Sequence, residues 1–393
     1  MNISSGKFSQ DQFKYMARAL FLAKKGQYST SPNPCVGAVI VKDNCIIGEG
    51  WHKKSGENHA EINALEQALE RGSNKEALSK ASCYVTLEPC CYQGKTPPCT
   101  KAIINSGIKN VFVAMCDPNP KVSGKGIQML RDAGIHVEVG LLGADAEILN
   151  DGFVKRMQHN RPKIMVKVAM SLDGKTALSN GVSQWISSQQ SRRDVQKLRA
   201  KSCAILTGSG TISIDNPRMT VRANELGNSF SHKEQSIRQP IRVIIDGKGR
   251  LNPNYQVFKE PGLSIVVLPE QLPSENAFLS SPLPDTVKIM QVPFDKDQIH
   301  LDLKCIIEKL AKEYAVNNLM LEAGASLSGA ILKQGLFDEI CIYMAPKIMG
   351  DMARDAFQLP ELKDMQEIYQ LKLKSMVSIG TDLKLTLVPN DIN

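Results

Sequence analysis

Apolar positions recur at helical spacing through residues 11–25, where Phe13, Met16, Leu20 and Ala23 fall on one face. This predicts an amphipathic helix, ended by Ser31-Pro32-Asn33-Pro34. A β-branched run over 36–41, a turn at Asp43-Asn44 and a second run over 45–50 predict a hairpin. A polar loop follows to Asn58. From 59 to 70 the apolar positions Ile62, Leu65 and Leu69 return to helical spacing. Further along, strands are expected at 82–87, 111–115 and 135–139, and helices at 100–106 and 126–133. Strands alternating with helices predict a layered α/β unit. The stretch from Lys155 to Pro162 is charged and core-poor. It is expected to mark the boundary between a first unit, residues 1–157, and a second, residues 158–393.

The second half opens with a strand over 163–170 and a turn at Ser171-Leu172-Asp173-Gly174. A Ser-capped helix over 187–201 follows. Strands are expected at 204–207, 241–245, 264–268, 287–292 and 319–322, with a helix at 303–314 and two or three strands within 339–388. This pattern predicts an open, mostly parallel sheet with an antiparallel end. Sheets of that kind bind cofactors outside the carboxyl ends of their strands. Two turns rich in Gly and Ser follow strands: Gly208-Ser209-Gly210-Thr211, and the run Gly324, Ala325, Ser326, Leu327, Ser328, Gly329, Ala330. Free backbone N–H groups at a helix N-terminus suit a diphosphate. The second turn is the stronger candidate because a helix follows it directly. Neither carries the full dinucleotide-binding fingerprint.

Composition narrows the class. At 393 residues the chain has room for two cores. Its hydrophobic content of 42% and charged content of 22% describe an ordinary globular protein. Ten scattered Cys do not form a disulfide framework, and a reducing cytoplasm is expected. The N-terminus lacks the apolar core of a signal peptide, and no apolar run approaches the ~18 residues of a membrane span, so no membrane partner is expected. The net charge of +8 divides into +3 over residues 1–155 and +5 over the rest. With no basic block, a nucleic-acid partner is not expected. A phosphorylated small molecule would gain from the mild positive field.

The chemistry concentrates in His59-Ala60-Glu61, Pro89-Cys90 and Cys99. One His and two Cys thiolates hold Zn²⁺ in zinc deaminases, with the fourth position open to water. Zinc lowers the pKa of bound water to about 7, and a neighbouring Glu, not itself a ligand, shuttles the proton. His59, Cys90 and Cys99 are therefore the candidate ligands and Glu61 the candidate general acid and base. The commonest form of the signature separates its two Cys by two residues. Here eight intervene, Cys91 to Pro98, and their Gly and two Pro require a loop. Cys91 is a rival ligand, but adjacent residues point differently and Cys90 is preferred. Two other readings use the same residues: a tRNA or other nucleic-acid base deaminase with an accessory domain, and a structural zinc module. The structural module would call for four protein ligands where three are evident.

The run Glu88-Pro89-Cys90 through Gly94-Lys95-Thr96-Pro97-Pro98-Cys99, together with Asp117-Pro118-Asn119-Pro120, resembles the bifunctional riboflavin-biosynthesis deaminase/reductase family. The resemblance extends through Gln184-Trp185-Ile186, Ala204-Ile205-Leu206-Thr207, Glu322-Ala323-Gly324 and Ala345-Pro346-Lys347, over nearly the whole chain. It accounts for the long Cys-to-Cys insert. It implies an N-terminal cytidine deaminase-like three-layer α/β/α domain and a C-terminal dihydrofolate reductase-like α/β domain. The first would deaminate 2,5-diamino-6-ribosylamino-pyrimidinone 5′-phosphate with zinc. The second would reduce the ribosyl side chain to ribityl with NADPH. A cytoplasmic homo-oligomer, a dimer, is expected.

For the deaminase, the resemblance assigns substrate contacts to Asn33, His52 and Lys95, the last two as charge-assisted donors to phosphate. For the reductase it places cofactor contacts at Ala169, Trp185, Thr211, Asp215, Gly247 and residues 324–330. Sugar-phosphate contacts fall to Ser183, Arg199, Met219, Arg222 and Glu322. Lys167 and Asp215 are the residues expected near the hydride path. One position departs from the family. Where Ser-His commonly follows the first Cys ligand, this chain has Cys91-Tyr92. Tyr cannot carry an imidazolium charge, which puts that substrate contact in doubt.

Overall fold

Ser9 caps the first helix, α1 (Gln10–Lys24), in a reciprocal box with Gln12, and the helix buries Tyr15, Met16, Ala19, Leu20 and Ala23. The computed structural model describes residues 7–94, 97–227, 237–272, 276–280 and 282–390. Strands β1 (Gly37–Lys42) and β2 (Cys45–Trp51) form the expected hairpin, and α2 (Ala60–Glu70) packs on it. Contact is close because the strands carry glycines. A Cβ on Gly48 would lie 2.2 Å from the Ala64 carbonyl oxygen, and one on Gly50 would lie 2.6 Å from the Ala64 nitrogen. Next come α3 (Lys75–Ser79), β3 (Ser82–Val85), α4 (Cys99–Ser106), β4 (Asn110–Val113), α5 (Lys125–Asp132), β5 (His136–Val139), α6 (Gly143–Leu149) and α7 (Asp151–His159).

The five strands lie in the order β2-β1-β3-β4-β5, with β3, β4 and β5 parallel. Residues of alternating parity face two cores. Ala38, Ile40, Cys83 and Val85 join Ala64, Ile103 and Leu130 on one face. Val39, Val41, Tyr84 and Phe112 join Met16 and Leu20 on the other. Helices thus cover both faces, giving three layers.

The chain divides into compact units at Met1–Asn160 and Arg161–Asn393. That break falls inside 155–162, the stretch expected to hold the boundary; α7 runs into it, ends at His159 and buries Phe153 just upstream. Its apolar anchor lies just upstream of the charged window, so the window alone hides the amphipathic pattern.

In the second unit β6 (Lys163–Ser171) alternates cleanly: Ile164, Val166 and Val168 enter the main core, while Met165 and Ala169 pack on the opposite side. The elements that follow are β7 (Lys175–Ala177), α8 (Gln189–Lys201), β8 (Ala204–Gly208), α9 (Ser209–Asp215), β9 (Ile241–Ile245), α10 (Gln256–Lys259), β10 (Ser264–Pro269), α11 (Ala277–Ser280), β11 (Val287–Val292) and α12 (Leu303–Glu313). After them come β12 (Asn318–Leu321), α13 (Ala325–Lys333), β13 (Glu339–Ala345), β14 (Arg354–Asp355), β15 (Leu371–Ile379) and β16 (Asp382–Pro389). The large sheet runs β11-β10-β9-β8-β12-β6-β13-β16-β15. It is parallel from β11 to β13 and antiparallel at β13-β16-β15. Both halves match the expected α/β architecture. The carboxyl ends of β6, β8, β9 and β12 lie along one edge, and that edge carries the second candidate site.

Candidate functional site

His59 is the N-cap residue of α2, but its side chain makes no cap hydrogen bond. Its Nδ1 lies 3.2 Å from Cys99 Sγ and 3.6 Å from Cys90 Sγ. Cys90 sits in the loop after β3, and Cys99 opens α4. The helix N-terminus therefore supports the second thiol, not the first. The backbone N–H of Cys99 donates to Cys90 Sγ at 3.3 Å. All three ligand atoms lie within 4.8 Å of one another. Two tetrahedral ligands, one S and one N, at ordinary zinc bond lengths would stand about 3.6 Å apart. The cluster fits that ion, and three protein ligands would leave a fourth position for water. Cys90 is held down at about 4, chiefly by the hydrogen bond from Cys99 and then by His59. That direction favours the thiolate, the form in which Cys binds a metal. Cys91 is half-buried, its thiol is pushed up by burial, and it stands outside the cluster.

Glu61 lies in the first turn of α2 and is 4% exposed. Burial raises its carboxyl to about 7, against the opposing pull of His59. A carboxyl at that value both holds and releases a proton near neutrality. Glu61 lines a cavity of about 650 Å³ together with His59, Cys90, Asn33, His52, Tyr92, Asp117 and Asn119.

His52 requires a correction. It is 3% exposed and burial lowers its pKa. Its Nδ1 pairs with the Asn58 carbonyl at 3.1 Å, and its Nε2 faces the Asn33 amide nitrogen at 3.0 Å. A ring that burial pushes away from its charged form, with both nitrogens engaged inside the protein, is not placed to donate to phosphate. It holds Asn33, turning that residue's amide oxygen away from the ring and free to accept. Tyr92 is 44% exposed on the cavity wall. Lys95 lies outside the described residues.

The Glu88-Pro89-Cys90 run has a packing role. Glu88 Oε2 accepts from the N–H groups of Asp117 and Gly124, and Oε1 from those of Gly126 and Ile127. One buried carboxylate so ties the Cys90 loop to the start of α5 and to the 117–119 turn. Asp117 is raised to about 6 by burial and accepts from the Asn119 N–H. The sequence reading used Asp117 and Asn119 only as family markers. It missed Phe153, Arg156 and Met157 of α7, which also line the cavity. Their shared helical spacing was the available signal.

In the second unit, Lys167, Arg199 and Glu322 form one ion cluster. Arg199 Nε donates to Glu322 Oε2 at 3.0 Å and Nη2 to Oε1 at 3.0 Å; Lys167 Nζ donates to Oε1 at 3.2 Å. Arg199 Nη1 also donates to the Thr220 carbonyl at 3.1 Å. The fork expected to face phosphate grips Glu322 instead. Burial opposes ionisation of Glu322, but Arg199 and then Lys167 overcome it and hold the carboxyl at about 2. Asp215 is exposed at the end of α9, is shifted upward by partial burial, and is not among this cluster's partners.

Ala169 follows Lys167 on the same face of β6. Trp185 is 63% exposed, with the Arg192 guanidinium 4.2 Å from its ring centre, so it is a surface platform and not a core residue. Ser183 and Thr211 are half-buried. Met219 is buried in a core with Ile205 and Ile212. Arg222 is paired with Glu225 at 2.6 Å. Gly247 follows the carboxyl end of β9, and a Cβ there would stand in ordinary contact with the Leu301 side chain at 3.6 Å. Within 324–330, Gly324 caps α13 with no side-chain hydrogen bond, and a Cβ there would meet nothing within 4 Å. Free first-turn N–H groups beside that open space suit the diphosphate of NADPH. Ala325 and Ser326 share this end. Leu327 and Ala330 pack on the core, and Ser328 and Gly329 are buried.

Comparison with known proteins agrees with a deaminase unit followed by a reductase unit. The cytidine and deoxycytidylate deaminase zinc-binding region matches residues 9–115, and the RibD C-terminal domain matches residues 162–385. The riboflavin biosynthesis protein RibD of Escherichia coli (strain K12) is 44% identical over 96% of this chain and 99% of its own length. That of Haemophilus influenzae is 43% identical over 98% of this chain and 100% of its own. Among solved structures, Acinetobacter baumannii RibD superposes with a TM-score of 0.85 at 39% identity, covering 97% of this chain and 99% of that one. A diaminohydroxyphosphoribosylaminopyrimidine deaminase/5-amino-6-(5-phosphoribosylamino)uracil reductase from Thermotoga maritima does so at 0.82 and 34%, with the same coverage. With a zinc-type deaminase cluster in one unit and a reductase fold in the other, this chain belongs to the RibD family of bifunctional deaminase/reductases of riboflavin biosynthesis.

Proposed function

We propose that the first unit removes one amine from 2,5-diamino-6-ribosylamino-pyrimidinone 5′-phosphate, and that the second then reduces the ribosyl chain to give 5-amino-6-ribitylamino-uracil 5′-phosphate. The observation that carries the first step is the His59-Cys90-Cys99 cluster sharing one cavity with buried Glu61. Zinc bound by these three side chains supplies an activated water nucleophile. Glu61 moves two protons at its buried carboxyl: one from the attacking water to the ring nitrogen, then one from the new hydroxyl to the amine, which departs as ammonia. The amide oxygen of Asn33, oriented by His52, accepts from the pyrimidine edge or the ribose.

In the second unit NADPH supplies the hydride. The first turn of α13 and exposed Trp185 receive the cofactor. Lys167, fixed by Glu322 at the middle of the sheet, supports the developing negative charge on the sugar. The thin spread of the +8 net charge supports a small phosphorylated substrate and no nucleic-acid partner. A homodimer is supported by the edge strand β15, which exposes Leu373, Met376 and Val377.

The test supplies the still-aminated substrate and NADPH to the full chain and follows loss of the reduced-nicotinamide absorbance. Wild type consumes NADPH, and Glu61→Gln does not unless the pre-deaminated compound is supplied. Consumption of the aminated substrate by Glu61→Gln would reverse the order of the two steps.

A further inference from the structure

The inner wall of the deaminase cavity is acidic. Glu57, Glu61, Glu88 and Asp117 all line it. A phosphomonoester carries nearly two negative charges at neutral pH, so such a wall repels it unless a cation is built in. The two His of the cavity do not serve. His52 is buried with both ring nitrogens paired, and His59 belongs to the ligand cluster. Among the described lining residues the cations are Lys121 and Arg156. Lys121 is exposed on a loop, whereas Arg156 is half-buried on α7.

Arg156 is well placed to meet an anion. Phe153, Arg156 and Met157 stand three and four residues apart, so they share one face of α7, and all three line the cavity. Phe153 is 7% exposed, and the Arg156 guanidinium carbon lies 5.9 Å from its ring centre. An aromatic floor restricts the stem, and the planar fork matches phosphate oxygens two at a time. The helix also lies outside the shared deaminase core. The zinc-binding region matches residues 9–115, the C-terminal domain match begins at 162, and α7 falls in neither. An element beyond the matched zinc-binding region that lines this cavity can recognise parts of a substrate remote from the metal.

We propose that Arg156, carried with Phe153 and Met157 on α7, receives the 5′-phosphate of the deaminase substrate. Phe153 and Met157 pack beneath the sugar. The inference rests on the deaminase reading above and adds the group that selects the phosphorylated form.

The experiment measures deamination kcat/KM of the zinc-loaded full chain with the phosphorylated substrate and with its dephosphorylated counterpart. Inhibition by inorganic phosphate and zinc content are measured alongside. Wild type is expected to prefer the phosphorylated form. Arg156→Ala is expected to shrink that preference about 10- to 100-fold, the scale of one charge-assisted pair, and to weaken phosphate inhibition in parallel while keeping its zinc. Arg156→Gln keeps a long stem over Phe153 and should do the same, which guards against a folding defect in the alanine variant. A wild type that turns over neither compound would remove the deaminase reading itself. A wild type without preference, an equal fall for both compounds in the variants, or a preference that survives in the variants but disappears in Lys95→Ala, would each overturn the assignment.

Discussion

Replacing Glu322 by Gln keeps the side chain's shape and removes its charge. The carboxylate accepts three bonds of 3.0, 3.0 and 3.2 Å, two from Arg199 and one from Lys167. The three side chains are only 19%, 14% and 12% exposed, for Glu322, Arg199 and Lys167 respectively. Without the carboxylate, two cations remain in a poorly hydrated site with no countercharge between them. Breaking a buried pair in this way costs about 3–5 kcal/mol. A unit the size of Arg161–Asn393 loses roughly 2–4 °C per kcal/mol, so its melting transition should fall by roughly 6–20 °C. Calorimetry of the full chain reads this directly. NADPH oxidation with the pre-deaminated substrate should be lost, while ammonia release by the first unit continues. A triple variant, Lys167→Met, Arg199→Met and Glu322→Leu, removes every charge at once. It should regain most of the lost stability, because well-packed apolar groups replace buried ion pairs at little cost, and its reductase should stay inactive. A loss below about 1 kcal/mol in Glu322→Gln would refute the reasoning. The cluster would then be hydrated and worth no more than a surface pair.

Acid should reveal the same carboxylate. The folded pKa of Glu322 is about 2, below the unfolded value, so its contribution is complete above the ordinary Glu range and is lost as pH falls from about 4.5 toward 2. The amount is roughly 3 kcal/mol. Denaturant melts at pH 5 and pH 3 should show roughly 2 kcal/mol of this loss in wild type and none of it in Glu322→Gln. At the zinc cluster, Cys90→Ser should lose metal and Cys91→Ser should keep it, since only the former lies within ligand distance of His59 and Cys99. Metal analysis of the purified variants checks this, and zinc retained in Cys90→Ser would contradict the assignment.

Local chemistry made the main elements and the zinc cluster legible. Strand and helix periodicity marked β9 and β11 at their observed bounds. It also marked the parallel-then-antiparallel sheet, because alternation and short β-branched runs are written locally. The ligands and Glu61 were legible because their chemistry demands specific residue types at specific spacings. Three features were not. The pairing and burial of His52 depend on Asn33, Asn58 and the packing around them, none of which the residue type encodes. The Lys167-Arg199-Glu322 cluster joins residues from β6, from α8 and from just beyond β12, brought together by strand order and not by spacing. Arg156 reaches the cavity only because α7 runs into a window whose charges read as a boundary, and carries it there with Phe153 and Met157. The sequence by itself determined which elements form and which side chains bear the chemistry, since propensity and ligand type act within a few residues. The tertiary structure alone decided which polar groups neutralise one another and which line the cavity that would take a substrate, because burial and charge pairing are set by neighbours distant along the chain.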